Sequence, residues 1–211
     1  MIGTGDGNRP PIKEVCRIQA AETDSSIHAG TEELRLRVQQ LSLREQIERN
    51  HFLLMRLNAA SARLIQSIEA GDVFDAIAEI IANLIGSEEI AVFDFHPAGQ
   101  NFTLAWSVGL EAEALKPFLC GAGMFGRAVQ QRMSQFQERQ PEAALLPFEK
   151  NLTACVILKS SREVVGVIAI FGLLPQKSCL EWSDYELLKF LETYAAVAIQ
   201  YQRLQGRQVS P

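Results

Sequence analysis

The chain contains a strongly apolar segment that leads, after a short loop, into a helix with a well-marked start. The segment Val164–Phe171 is typical of a buried β-strand, and Ser183 and Glu186 have the spacing of a capping box. In that motif the serine oxygen accepts a hydrogen bond from the amide of Glu186, and the glutamate accepts one from the amide of Ser183. This part of the chain is therefore predicted to be a buried strand that feeds a capped helix.

Composition limits the classes of fold and partner. The chain has 211 residues, of which 47% are hydrophobic, so it can bury one full core and still supply a helical extension or a tail. Its formal net charge of −5, with lysines and arginines interspersed among acids, offers no basic surface for nucleic acid. Because the sequence has neither an apolar run of about 18 residues nor a secretory signal, we expect no membrane span and a cytoplasmic location.

The spacing of the cysteines and the absence of known catalytic motifs give no indication of a disulfide, a metal site or an active site. Cys16, Cys120, Cys155 and Cys179 lie far apart and form no C-x-x-C pair, so reduced thiols are expected in place of disulfides or a zinc site. The sequence also lacks a nucleophile elbow, a phosphate-binding glycine loop with lysine, and a histidine pair at metal spacing. No catalytic residue and no metal ligand is predicted, and the chain is expected not to be an enzyme.

The first part of the chain divides into an arm and a helix. Residues 1–30 are rich in glycine, proline and serine, and this composition predicts a flexible arm. Residues 31–58 carry an apolar stripe in steps of three and four, which supplies the candidate residues of a coiled-coil seam: Leu36, Leu43, Ile47, Asn50, Leu54 and Leu57. We expect the seam to join two copies of the chain in a homodimer, with parallel helices preferred over antiparallel ones. Beyond Leu57, packing of the helix on its own domain is an equal alternative.

Residues 59–205 are predicted to form one mixed domain, followed by a tail at 206–211. A helix is expected between Asp72 and Gly86. Asp72 is its expected N-cap, and Gly86 is expected to end it in the left-handed conformation. The elements expected after it are a hairpin of Ile90–Phe95 and Phe102–Val108, short helices at Glu111–Leu119 and Gly126–Arg132, a short strand at Ser134–Gln137, a loop at Arg139–Asn151, strands at Thr153–Leu158 and Val164–Phe171, and a last helix with Leu187, Leu191, Tyr194, Ala198 and Tyr201 on one stripe.

Four segments of this region, in order, resemble segments of the GAF domain, a small sensory module. They are the helix Val73–Leu84 before a strand, the turn Ser107–Leu110, the G-x-x-G-x-A segment Gly123–Ala128, and the ending Ala196–Leu204. The resemblance implies an α+β sandwich with a central antiparallel sheet and a helical bundle on one face, plus the long N-terminal helix. It also implies a small-molecule pocket on the other face and a dimer formed by the paired helices.

The resemblance leaves the ligand and any cofactor unassigned. Cyclic-nucleotide-binding members have an Asn-Lys pair followed by a phenylalanine and an Asp-Glu pair, whereas Lys150-Asn151 is in reversed order and is not followed by the acids. Bilin-binding members have a cysteine followed by histidine, whereas Cys120 is followed by glycine. The candidate haem ligand near the sheet is His96, which sits beside a polar turn, where a solvated histidine is more typical.

A pocket, if open, is expected between the sheet and the segment Leu119–Arg127. Its candidate wall residues are Phe93, Trp106, Met124 and Phe125, and the same side chains can equally fill the space as core. We expect a non-enzymatic sensory or regulatory domain in signal transduction that dimerises and acts on a signalling protein. Two alternatives stay open: a ligand-free dimerisation or docking module, and a reductase of free methionine sulfoxide that uses Cys120.

Overall fold

The computed structural model describes residues 12–110, 115, 118–119, 123–139, 147–160 and 163–208. Within these residues the α-helices are α1 Ile12–Ala70, α2 Val73–Ile80, α3 Gly123–Gln131 and α4 Trp182–Gln208. The strands are β1 Ile90–His96, β2 Asn101–Val108, β3 Phe118–Leu119, β4 Gln135–Phe136, β5 Ala154–Lys159 and β6 Val164–Ile170. A π-helical turn, Ile81–Ile85, follows α2, and 3-10 turns cover Gln137–Arg139 and Pro147–Asn151.

The strands form one sheet in the order β3-β2-β1-β6-β5-β4, and every neighbouring pair is antiparallel. The predicted α+β fold with a central antiparallel sheet is therefore confirmed. The first hairpin lies where the two segments on either side of the turn residues 97–100 predict it. Gly166 on β6 is required by the close approach of β1, because a Cβ there would lie 2.1 Å from the Phe93 carbonyl oxygen.

The two faces of the sheet carry separate hydrophobic cores, since successive residues of a strand point to opposite faces. One core joins Val92 and Ile168 to the apolar sides of α1, α2 and α4. The other joins Phe93 and Val167 to α3. The helical bundle on one face, expected from the resemblance, is thus present, and α3 packs on the opposite face.

The chain divides into two compact units, one up to His51 and the other from Phe52 onward. The helix α1 begins at Ile12, inside the segment 1–30 for which a flexible arm is predicted, and residues 1–11 lie outside the described residues. The second unit starts at Phe52, before the predicted boundary at residue 59, and Leu57 packs against its core. No helix among the described residues is long and apolar enough to cross a membrane.

The start of α4 corrects the predicted capping box. The helix begins at Trp182, and the carboxylate of Asp184, not that of Glu186, accepts a hydrogen bond of 2.7 Å from the Glu181 amide. Ser183 lies inside the first turn, where its hydroxyl accepts from Arg56. The local motif was misplaced because both Ser183 and Asp184 bond to a residue distant in sequence.

Two other expectations change at the ends of elements. Asp72 stands at the N-cap position of α2, but its carboxylate makes no cap hydrogen bond and accepts instead from Arg63. Phe118–Leu119 pairs with β2 as a strand, whereas a helix was expected up to Leu119, and most of that stretch lies outside the described residues. The left-handed end at Gly86 is confirmed, with φ of 86° and its amide bonded to the Ile81 carbonyl.

Candidate functional site

The α3 face of the sheet is the place where a pocket was expected, and its side chains pack against one another. Phe93, Met124 and Phe125, three of the four candidate wall residues, are all at most 1% exposed. The Phe125 ring meets the rings of Phe93 and Phe102 edge-on, with 5.4 Å between centroids in each pair. Edge-to-face contacts at this distance are favourable. The three rings therefore form an aromatic core on this face.

Trp106, the fourth candidate, lies on the opposite face of the sheet. It pairs with Val92 across the β1–β2 ladder, and directly paired residues of an antiparallel sheet share a face. Its half-buried ring stacks with that of Phe74 on α2, at 6.4 Å between centroids and 11° between planes. The prediction of Trp106 as a wall of the same pocket is therefore wrong. The cause is an irregularity in the ladder after Val92, which changes the pairing of the following residues.

Glu149 closes the amino-terminal end of α3 and was missed by the sequence analysis. Its side chain is fully buried, and one carboxylate oxygen accepts hydrogen bonds from the amides of Met124 and Phe125 at 2.7 and 3.1 Å. These amides have no partner inside the helix, and the helix dipole favours an anion there. Gly123 makes room for the carboxylate, because a Cβ at that position would lie 2.2 Å from its nearer oxygen.

The histidine and the cysteines that the sequence offers as candidate ligands or nucleophiles lie in different surroundings. His96 is exposed, and its Nε2 lies 2.8 Å from the Thr103 hydroxyl, as fits a solvated residue at a hairpin. Cys155 is buried in the aromatic core, whereas Cys120 lies outside the described residues. The described part of the chain contains no group of three or more His, Cys, Asp or Glu side chains placed to hold a metal ion.

The predicted seam on α1 is exposed up to Leu54. Leu36, Leu43, Ile47 and Leu54 are 57%, 51%, 66% and 64% exposed, and Asn50 is exposed as well. Leu57 differs, because it is half-buried and packs against the core formed with α2 and α4. The assignment of Leu57 to a seam between chains is therefore corrected. From this residue on, the alternative of packing on its own domain is the one observed.

A buried polar cluster joins α1 to the start of α4. Arg56 pairs with Asp184 at 2.7 Å, and Lys177 pairs with the other oxygen of the same carboxylate at 2.6 Å. The two cations also donate to the last carbonyls of the π-helical turn, Arg56 to Leu84 and Lys177 to Ile85. Cations are favoured at the carboxyl end of a helix, and an anion at the amino end. The cluster therefore satisfies the ends of two helices with one set of charges.

Comparisons with known proteins identify the architecture. No family model matches the sequence, and no curated protein matches it. Among solved structures, the GAF domain of a phosphoenolpyruvate-protein phosphotransferase from Coxiella burnetii is similar, with a TM-score of 0.58, 14% identity, and coverage of 72% of this chain and 98% of that one. The corresponding domain from Acinetobacter is similar with a TM-score of 0.57 and 17% identity. The match covers 72% of this chain and 98% of that one. This chain has the GAF fold.

The same GAF fold occurs in a free methionine-R-sulfoxide reductase from Neisseria meningitidis, solved in complex with its substrate. That enzyme gives a TM-score of 0.51 at 15% identity, covering 71% of this chain and 93% of its own. At such identities the likeness extends to the fold alone. The fold therefore does not by itself assign a function to this chain.

A surface groove of about 320 Å³ lies away from the aromatic core, between the β4 edge of the sheet and α4. Its lining includes Ser134, Lys159 and Glu192. Lys159 pairs with Glu192 at 2.8 Å, and Ser134 donates a hydrogen bond of 2.5 Å to the same carboxylate. These three polar groups are thus engaged with one another.

Proposed function

We propose that this GAF domain is a non-catalytic regulatory module that acts through self-association of its helices, with its α3 face closed by an aromatic core. The observation that carries the proposal is the exposed apolar stripe Leu36–Leu54 on α1. Exposed apolar side chains that repeat along one face of a helix are unfavourable in water and typical of an interaction site. Its heptad spacing fits another helix of the same kind, and Asn50 within the stripe would fix register at some cost in stability.

The packing on the α3 face supports a ligand-free role over small-molecule sensing. A ligand between the sheet and α3 would have to displace Phe125 or Met124, both fully buried. It would also compete with the Glu149 carboxylate for the first amides of α3. Both changes cost free energy that a ligand would have to recover from its own contacts. The module is accordingly proposed to pass on a signal through its helices and a protein partner.

Sedimentation velocity of the full chain tests the proposal. We expect a dimer at micromolar concentration that dissociates in the double variant Leu43→Gln, Ile47→Gln. The matched control is Val38→Gln, Leu41→Gln, because these α1 side chains are each 60% exposed but lie off the stripe. A monomeric wild type, or equal loss of dimer in both variants, would overturn the proposal.

Two further measurements test whether the module is non-catalytic and whether it is free of a bound small molecule. Turnover of free methionine sulfoxide that disappears in Cys120→Ser would show that the module is an enzyme, as the Neisseria protein of the same fold is by name. Native mass spectrometry of the purified chain would reveal a retained small molecule. We expect neither turnover nor a retained ligand.

A further inference from the structure

The side of α1 opposite the proposed seam carries a short apolar patch, which consists of Leu34, Val38 and Leu41. These side chains are 67%, 60% and 60% exposed. They follow steps of four and three residues, so they line one face of the helix over two turns. At about 100° per residue, this face lies roughly 160° around the helix from Leu43 and Ile47. A helix that joins a second copy through the seam therefore still exposes the patch.

Arginines border the patch on both sides. Arg37 and Arg44 lie along one edge of it and Arg35 lies along the other, and all three are exposed. Arg37 is paired with Glu33 at 2.8 Å, whereas Arg44 makes no ion pair with any residue that the structure describes. The whole chain has a net charge of −5, so this basic border is a local feature of α1. The patch can therefore attract a partner of opposite charge.

The length of the patch is set by acids that follow it. The next two positions of the same face are Glu45 and Glu48, and both are exposed. They end the apolar surface, and they would repel an acidic partner that continued past them. The three apolar side chains thus stand at positions i, i+4 and i+7, which are the anchor positions of contacts between amphipathic helices. The patch accordingly fits a partner helix of about two turns.

We propose that the patch binds a short amphipathic helix of a partner protein, with acidic residues on both sides of that helix's own apolar face. The arginines of the patch then face carboxylates across the contact, as charged residues do beside the seam of paired helices. A second copy fits less well, because patch on patch would bring two arginine borders together. An anionic membrane fits less well because three side chains make a small apolar face and the chain itself is acidic. This inference rests on the proposed function and gives the chemistry of its protein partner.

A designed peptide serves as the probe, and the full chain is used. The probe is a fluorescent peptide of about two heptads with leucine at its a and d positions and glutamate at e and g. The control peptide has lysine in place of glutamate. We expect fluorescence anisotropy to show binding of the glutamate peptide that weakens when NaCl is raised from about 50 to 500 mM. The lysine peptide should bind at least about 10-fold more weakly.

The two double variants of the sedimentation experiment separate the patch from the seam. Val38→Gln, Leu41→Gln should raise the dissociation constant of the glutamate peptide about 10-fold or more and leave the dimer intact. Leu43→Gln, Ile47→Gln should dissociate the dimer and leave peptide binding unchanged. An unchanged circular dichroism spectrum would show that a variant is still folded.

A third double variant tests the basic border. Arg35→Gln, Arg44→Gln should weaken binding of the glutamate peptide and remove most of its dependence on salt, because the attraction that salt screens is lost. Equal binding of the glutamate and lysine peptides would overturn the proposed charge of the partner.

Other occupants of the patch give different results. No binding of the glutamate peptide, or binding lost only in the seam variant, would overturn the patch and leave the dimer standing. Binding of phosphatidylserine vesicles without binding of the peptide would identify a membrane as the occupant, and a tetramer that Val38→Gln, Leu41→Gln converts to a dimer would identify a second copy. Either result would overturn the proposal. A monomeric wild type would overturn the proposed function, and peptide binding alone would then decide on the patch.

Discussion

The Arg56 guanidinium and the Asp184 carboxylate form an ion pair of 2.7 Å whose side chains are 8% and 1% exposed. Asp184 also accepts from Lys177 and from the Glu181 amide, so its oxygens are fully engaged. The Arg56 guanidinium carbon in turn lies 5.5 Å from the centre of the Phe52 ring. A buried charge of this kind persists only when it is paired and hydrogen-bonded. The pair therefore fixes α1 against the start of α4.

Removal of the negative charge at this cluster should destabilise the domain strongly. Asp184→Asn leaves Arg56 buried without its counter-ion, a change that typically costs about 3 to 5 kcal/mol. Urea unfolding measures the loss in the free energy of unfolding. A variant within about 1 kcal/mol of the wild type would show that the cluster contributes little.

Arg63 provides the matched control for that experiment, since it lies seven residues along the same helix. It pairs with Asp72 and Glu79, and hydrogen bonds to these carboxylates, Asp72 first, raise the pKa of Arg63 above its ordinary value. Its side chain is more exposed than that of Arg56, and one partner is half-exposed. Solvent weakens such pairs, so Arg63→Gln should cost no more than about 1 kcal/mol.

Substitution of Gly123 tests the carboxylate that caps α3. Gly123 has φ of +72°, and a Cβ there would lie 2.2 Å from the Glu149 oxygen. Gly71 has nearly the same backbone angle, +78°, with no atom within 4 Å of its Cβ position. Both alanine variants carry the strain of a left-handed residue, roughly 1 to 2 kcal/mol. Only Gly123→Ala also displaces Glu149, so it should be less stable than Gly71→Ala by a further 1 to 3 kcal/mol or so. Equal melting temperatures of the two variants would contradict the role of Glu149.

Truncation of Phe125 should create a cavity in the aromatic core. Phe125 contacts two other rings and is fully buried, so Phe125→Ala is expected to cost about 3 to 5 kcal/mol. The apolar cavity should then bind a compound of benzene size, detected as a rise in melting temperature of the variant alone. Met133→Ala, at a side chain 60% exposed, is the control and should change stability little. Binding of the same compound by the wild type would show that a cavity already exists and would favour the sensor.

The elements that the sequence predicts well are those set by neighbouring residues. The hairpin of β1 and β2 follows from the turn residues between two strand-like segments, and the left-handed end at Gly86 follows from the backbone freedom of glycine. The polar contacts were missed because their partners are distant: Glu149 lies 25 residues from Met124, and Asp184 lies 128 from Arg56. The helix α3 starts at Gly123, and glycine has no side chain to cap it. The absence of a local cap is the sequence signal that an acid from elsewhere in the chain binds its first amides.

Gly166 should be among the least replaceable residues of the sheet, since β6 runs between β1 and β5 at this point. A Cβ would lie 2.1 Å from the Phe93 carbonyl oxygen, and this is a backbone atom held by the strand ladder, so it cannot move aside as a side chain would. We expect Gly166→Ala to cost about 3 kcal/mol, which for a unit of this size lowers the melting temperature by about 6 to 12 °C. Gly172→Ala is the control, because its Cβ would approach the flexible Glu89 carboxylate at 3.2 Å. Differential scanning calorimetry of the two variants should show a large shift for Gly166→Ala and a small one for Gly172→Ala. Equal shifts would mean that β1 and β6 are able to separate enough to admit a methyl group.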